Sequence, residues 1–305
     1  MKYILLANMG APNSLSEMRT FLKSMFMDKS ILYAPKFVRV IVSSLISTLR
    51  YRSSWQKYEL IGGSPLQASM QHMATDLQCL LGDNYKVESV YAYSAPFIEP
   101  KLIELAQKTV DEICVISMYP QASYSTTGSV QMSIDKVKAI YPNLNVRFVV
   151  DYFAHPLFVE YWSDLIVKAA ANAGFEQPHV VFSAHAIPQS FVQRGDQYCQ
   201  KLETSTALIA QQTGFKCSFC YQSKIGPIAW TRPYTEDFLR TLPANEAVLL
   251  APLAFVNENL ETAYDQDYDI VPFAKSKLGM TKIARVVLPS SHEILIRMFK
   301  QFVDN

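Results

Sequence analysis

The sequence lacks the features that mark several large classes of protein. It has no excess of one charge, since 28 Lys+Arg against 27 Asp+Glu leave a formal net charge of +1. A protein that grips a phosphate backbone carries a clear basic surplus, so nucleic-acid binding is not expected. Long apolar runs are missing too: the longest uncharged apolar stretches, residues 40–49 and 247–256, are each 10 residues long. A bilayer span needs about 20. The opening MKYILLANMGAP holds one Lys and a short apolar run before turn residues, which is too short for a signal peptide. Five cysteines among 305 residues do not make a disulfide framework, so the expected setting is the reducing cytoplasm. Neither G-x-G-x-x-G nor G-x-x-x-x-G-K-[ST] occurs, which removes the dinucleotide fingerprint and the P-loop. There is no Gly/Ser-rich linker, low-complexity tract or repeat at the level of sequence.

What is present describes a globular α/β chain. Half the residues are hydrophobic and 18% are charged, enough for a sizeable core. At roughly 150 residues per domain, the length suggests two domains. Short β-branched and aromatic runs recur at residues 3–7, 87–93, 113–118, 146–150, 179–183, 217–222, 247–253 and 284–288. Most are apolar throughout, as in strands covered on both faces. Between them lie helical stripes such as Phe158, Trp162, Ile166 and Ala169, or Leu202, Ala207 and Ala210. This alternation predicts parallel sheets in two doubly wound halves of four strands each. The expected domains are 1–145 and 146–305, with the terminal helix free to pack back on the first. Residues 31–50 read as an amphipathic segment with basic ends, suited to a lipid surface, an apolar cleft or ordinary packing.

Ligands of open α/β sheets sit beyond the carboxyl ends of the strands, so the loops there carry the chemistry. The first contains Asn8-Met9-Gly10-Ala11-Pro12, a tight turn that can also aim Met9 at a ligand. The third runs MYPQASYSTTGS, with hydroxyls on Ser123, Ser125, Thr126, Thr127 and Ser129 and a helix expected near Ser129. Hydroxyls at a helix start suit a carboxylate or phosphate, or serve only as a cap. The fifth strand places His185 at the sheet edge, as a base, a metal ligand or a structural histidine. After the seventh strand, a helix starting near Asn257 would line up Glu258, Glu261 and Asp265 on one face. Such a row is either a solvated face or a site for a cation or proton relay. Cys217 and Cys220 form a lone C-x-x-C, read as two thiols on a strand.

The stretches FLKSMFMDKSIL, YELIGGSPL, MYPQASYSTTGS, FSAHAIPQSFVQRGDQY, YQSKIGPIAWTRPYT and FVNENLETAYDQD, in this order, resemble the ferrochelatases, which insert ferrous iron into a porphyrin to make haem. The likeness runs from LLANMGAP to about Pro289. It implies two Rossmann-like, chelatase-type α/β domains, each a four-stranded parallel sheet flanked by helices, with porphyrin clamped between them. His185 matches the family's catalytic histidine and Glu261 its partner carboxylate; both would meet the metal. Met9, Tyr93, Ser125 and Trp230 match porphyrin-pocket positions, Glu258 and Asp265 an acidic relay, and residues 24–40 the apolar lip. The implied partners are porphyrin and Fe²⁺ as substrates, with no organic cofactor; a monomer is expected, and peripheral membrane contact is one of the uses open to the amphipathic segment.

The departures are Ala186 for the usual Gly or Ser, Ala92 for a frequent Arg, a shortened IGGSP loop and Glu258 for a frequent Asp. Tyr124 stands where iron–sulfur members carry Cys, so no cluster is expected. The resemblance favours protoporphyrin IX; coproporphyrin III, or a carrier that binds porphyrin without turnover, are the alternatives.

Overall fold

A computed structural model describes residues 2–108 and 110–304. The contact pattern divides the chain into two units. The first holds the residues up to Val150 together with those from Phe299 onward, and the second runs Asp151–Met298.

In the first unit, β1 (Lys2–Asn8) is followed by α1 (Leu15–Met27), α2 (Lys36–Leu49), α3 (Tyr51–Leu60) and α4 (Leu66–Leu81). Then come β2 (Tyr85–Tyr91), α5 (Ile98–Gln107), β3 (Glu112–Ser117), α6 (Thr127–Ile140) and β4 (Val146–Val149). The sheet is parallel throughout, in the order β2-β1-β3-β4. Because β4 pairs with β3, the unit extends to Val150, and the break expected before residue 146 falls after that strand instead. Ile4 to Ala7 of β1 are all buried, as a central strand covered on both faces requires. One face packs Leu5, Ala7, Val90 and Val115 against Leu102 and Leu105 of α5 and Val130 and Ile134 of α6. Each such Leu, Ile or Val side chain contributes about 1.5–3 kcal/mol on burial.

The second unit repeats the layout: β5 (His179–His185) after α7 (Pro156–Ala173), then α8 (Gln189–Gln193), α9 (Tyr198–Thr213), β6 (Cys217–Gln222), α10 (Thr235–Leu239) and β7 (Val248–Ala251). A π-helix, Glu261–Ile270, leads into α11 (Val271–Leu278) and β8 (Ile283–Arg285), and α12 (Glu293–Asp304) closes the chain. Its parallel order, β6-β5-β7-β8, is the same second-first-third-fourth arrangement.

One helix is built inside out. α2 lies along α1 and buries Ser43 and Ser47, while Phe37, Val40, Ile41, Leu45 and Leu49 face outward. Lys36 and Arg50 stand exposed at its ends. Ser43 and Ser47 return their hydroxyls to the carbonyls of Val40 and Ser44, so both buried hydroxyls are paired.

Candidate active site

The second unit gathers five of the predicted residues or their neighbours at the carboxyl edge of its sheet. β5 ends on His185 and β6 on Gln222, side by side in register. The His185 side chain is about a third exposed (35%). Its Nδ1 lies 3.4 Å from the carbonyl oxygen of Gln222 and 3.9 Å from Oε2 of Glu261. Both groups nearest Nδ1 are acceptors, an arrangement that favours the tautomer with its hydrogen on Nδ1 and its lone pair on Nε2.

The loop after β6 folds back across this edge. Thr231 receives the Ile187 N–H on its hydroxyl at 3.1 Å and returns its own N–H to the Ile187 carbonyl at 3.0 Å. Trp230 pairs with Pro188, and its indole lies 6.3 Å from the His185 ring at an interplanar angle of 19°. The indole N–H donates to the Ile225 carbonyl at 3.1 Å, which fixes the ring plane. At the start of the loop Ser223 has φ +65° and donates to Asp265 Oδ2 at 2.6 Å.

Glu261 begins the π-helix. Asn259 caps it: the Asn259 Oδ1 accepts from the N–H groups of Glu261 (2.8 Å) and Thr262 (3.2 Å). The expected helix start near Asn257 therefore moves to Leu260, which puts Glu258 outside the helical face shared by Glu261 and Asp265. Glu258 is committed elsewhere. Its Oε1 accepts from Arg285 Nη1 and the Leu288 N–H, both at 2.7 Å, and its Oε2 from the Thr262 hydroxyl at 2.7 Å. A run of i→i+5 turns is rare and concentrates at functional sites.

Gln222 was not singled out by sequence, yet it touches both members of the pair. Its side-chain N–H₂ donates to the Glu261 carbonyl at 3.1 Å. The signal was there to read: it is a polar residue ending an otherwise apolar strand, as His185 is.

The first unit places Met9, Tyr93 and Ser125 beyond β1, β2 and β3. Met9 is half-buried, and its carbonyl accepts the Tyr93 N–H at 3.0 Å. Tyr93 is itself buried, with its hydroxyl donating to Asp28 Oδ2 at 2.9 Å and its ring edge-on to Phe21. Burial and the Asp28 carboxylate push the phenol well above its ordinary pKa, so it stays a donor. Ser125 is half-buried and shares its hydroxyl with Ser123 at 3.1 Å. α6 starts at Thr127, two positions before the expected start near Ser129, and the hydroxyls of Thr127 and Ser129 turn back to carbonyls within the loop. Cys217 and Cys220 both lie on β6, where burial raises their thiols to about 11 and about 12.

The similarity of this chain to known proteins is specific. The family model described as Ferrochelatase matches residues 2–305. A ferrochelatase of Aquifex aeolicus is 30% identical, the match covering 100% of this chain and 99% of the relative. One from Sulfurihydrogenibium sp. is 31% identical over 98% and 97%. Among solved structures, SirB from Bacillus subtilis with Fe³⁺ superposes with a TM-score of 0.56 at 12% identity, covering 99% of this chain and 94% of that one. CbiX, the terminal enzyme for biosynthesis of sirohaem in denitrifying bacteria, does so at 0.57 and 13% over 100% and 98%. At those identities the two structures show a shared two-domain chelatase fold.

Proposed function

This chain belongs to the ferrochelatase family and is a metal chelatase of haem biosynthesis, and from that premise we propose that it inserts Fe²⁺ into protoporphyrin IX with release of two protons per turnover. The observation that carries the reading is the pair of acceptors beside Nδ1 of His185. With the Gln222 carbonyl and the Glu261 carboxylate both on the Nδ1 side, Nε2 is the ring atom that serves as the base.

Insertion replaces two pyrrole N–H bonds with bonds to iron. Nε2 takes one pyrrole proton, passes it to solvent and then takes the second; the charge that appears on the ring each time is stabilised by Glu261. Glu261 and Asp265, one π-turn apart, carry protons or the cation along the helix; Ser223 orients Asp265. Glu258, held by Arg285, anchors the helix entry. In the second unit Trp230, stacked on His185, offers flat apolar surface to a macrocycle, and in the first unit Met9 offers a soft thioether. Ser125 and its neighbouring hydroxyls suit the propionates, and Tyr93 braces the loop behind Met9. The exposed apolar face of α2, with basic ends, is the surface for peripheral membrane contact.

The deciding experiment is anaerobic Fe²⁺ insertion into protoporphyrin IX and, separately, coproporphyrin III. Turnover of protoporphyrin that falls by roughly 10²-fold or more in His185→Ala is the expected result. Preferred turnover of coproporphyrin would reassign the substrate. Tight porphyrin binding without His185-dependent insertion would leave a carrier.

A further inference from the structure

Resting on the His185–Glu261 reaction centre just described, we propose that Gln222 is a positioning residue that sets the spacing of that pair. Gln222 reaches both: its backbone carbonyl lies 3.4 Å from His185 Nδ1, and its side-chain N–H₂ holds the carbonyl of Glu261.

The amide cannot rotate freely. Its Oε1 accepts from the Ser183 hydroxyl at 2.6 Å and from the Gln266 side-chain N–H₂ at 3.3 Å. Two donors on the oxygen oblige the nitrogen to face Glu261. Ser183 is in turn 2.7 Å from the Thr235 hydroxyl, so the clamp links β5, β6, α10 and the π-helix. Ser183 and Gln266 are both fully buried.

Gln266 shows that stability alone does not account for the clamp. Its Oε1 is buried with no hydrogen-bond partner among the described residues. A buried, unpaired amide oxygen is destabilising, and an aliphatic side chain of similar shape would remove that cost. The residue is nevertheless an amide whose N–H₂ meets Gln222 from the π-helix, one turn beyond Glu261. Such outer contacts fix the orientation of groups that face a metal, and losing one costs roughly 10–100-fold in activity.

The test is a double-mutant cycle in the full chain, reading iron insertion, porphyrin affinity by fluorescence quenching, and the thermal midpoint. Gln222→Met should lower kcat by roughly 10–100-fold, with porphyrin Kd changed by no more than about twofold. In a Glu261→Gln background the same substitution should cost less than about threefold, because a residue that acts through Glu261 has little left to position. Equal losses in both backgrounds, or a lower midpoint with unchanged kcat per folded molecule, would overturn the proposal. Should Gln222→Met fail to fold, Gln266→Leu decides: an unchanged or higher midpoint with severalfold lower kcat supports the clamp, and unchanged kcat rejects it. If Glu261→Gln alone turns over like the parent, the fault lies in the reaction-centre reading, and the positioning role goes with it.

Discussion

Gly10 shows how one backbone position carries the loop beside Met9. Its φ is +88°, and a Cβ there would lie 2.1 Å from the Ser94 hydroxyl and 2.9 Å from Tyr91 Cβ. Gly226 has a similar φ of +69°, yet a Cβ would meet nothing within 4 Å among the described residues. Gly10→Ala should therefore cost roughly 2–3 kcal/mol, and Gly226→Ala only about 1 kcal/mol from the backbone. Urea unfolding of the two variants checks the difference; equal costs would mean that the Ser94 contact relaxes. At this scale the sequence was partly legible. His185 was readable because a polar residue at the end of an apolar strand stands out, and Glu261 because it recurs with helical spacing. Glu258 looked equivalent to Glu261 in the same run. Only the fold separates them, by bringing Arg285 from 27 positions away to claim one.

Among the elements, the π-helix was the least predictable. An amphipathic helix is legible in a sequence through its period of 3.6, and a period near 4.4 leaves no clean trace in ten residues. Its start was nevertheless encoded, because Asn259 is a side chain suited to capping. Asn259→Ala should cost about 1 kcal/mol of stability. It should also lower kcat beyond that loss, since the cap holds the Glu261 N–H; kcat per folded molecule measures this. The inverted helix α2 was legible as amphipathic, but not in its orientation, since its apolar side faces out and its serines face in. Replacing Ile41 and Leu45 by Glu should weaken sedimentation with anionic vesicles about tenfold or more. Stability should be nearly unchanged, because both side chains are exposed.

For the whole molecule, the alternation of strands and helices was enough to give two parallel sheets. The shared strand order was not legible, because packing around a common layout constrains hydrophobicity and leaves residue identity free. At the amino end of β5, opposite His185, the buried His179 sits between Glu246 Oε1 (2.8 Å) and the Ser218 hydroxyl (2.9 Å), with Lys216 on Glu246 and the Phe238 ring edge-on. Burial holds its pKa below the ordinary 6.5 despite the Glu246 contact. The unfolded chain therefore takes up the proton first as pH falls, so stability is full above that range and is lost below it. Urea unfolding at about pH 8 and about pH 5.5 should show the drop, and His179→Gln should reduce it. His155, also depressed by burial, leaves part of the slope in place.

The return of the last segment to the first unit has a consequence for biosynthesis. Phe299 and Val303 are buried, and Val303 lines one small recess with Ile4, Cys114 and Arg147. The unit that leaves the ribosome first is thus completed by residues made after the whole of the second. Until synthesis reaches them, the recess beside β1 and β3 stands open, and a nascent chain halted before Phe299 should be more readily cleaved in its first half than the released protein.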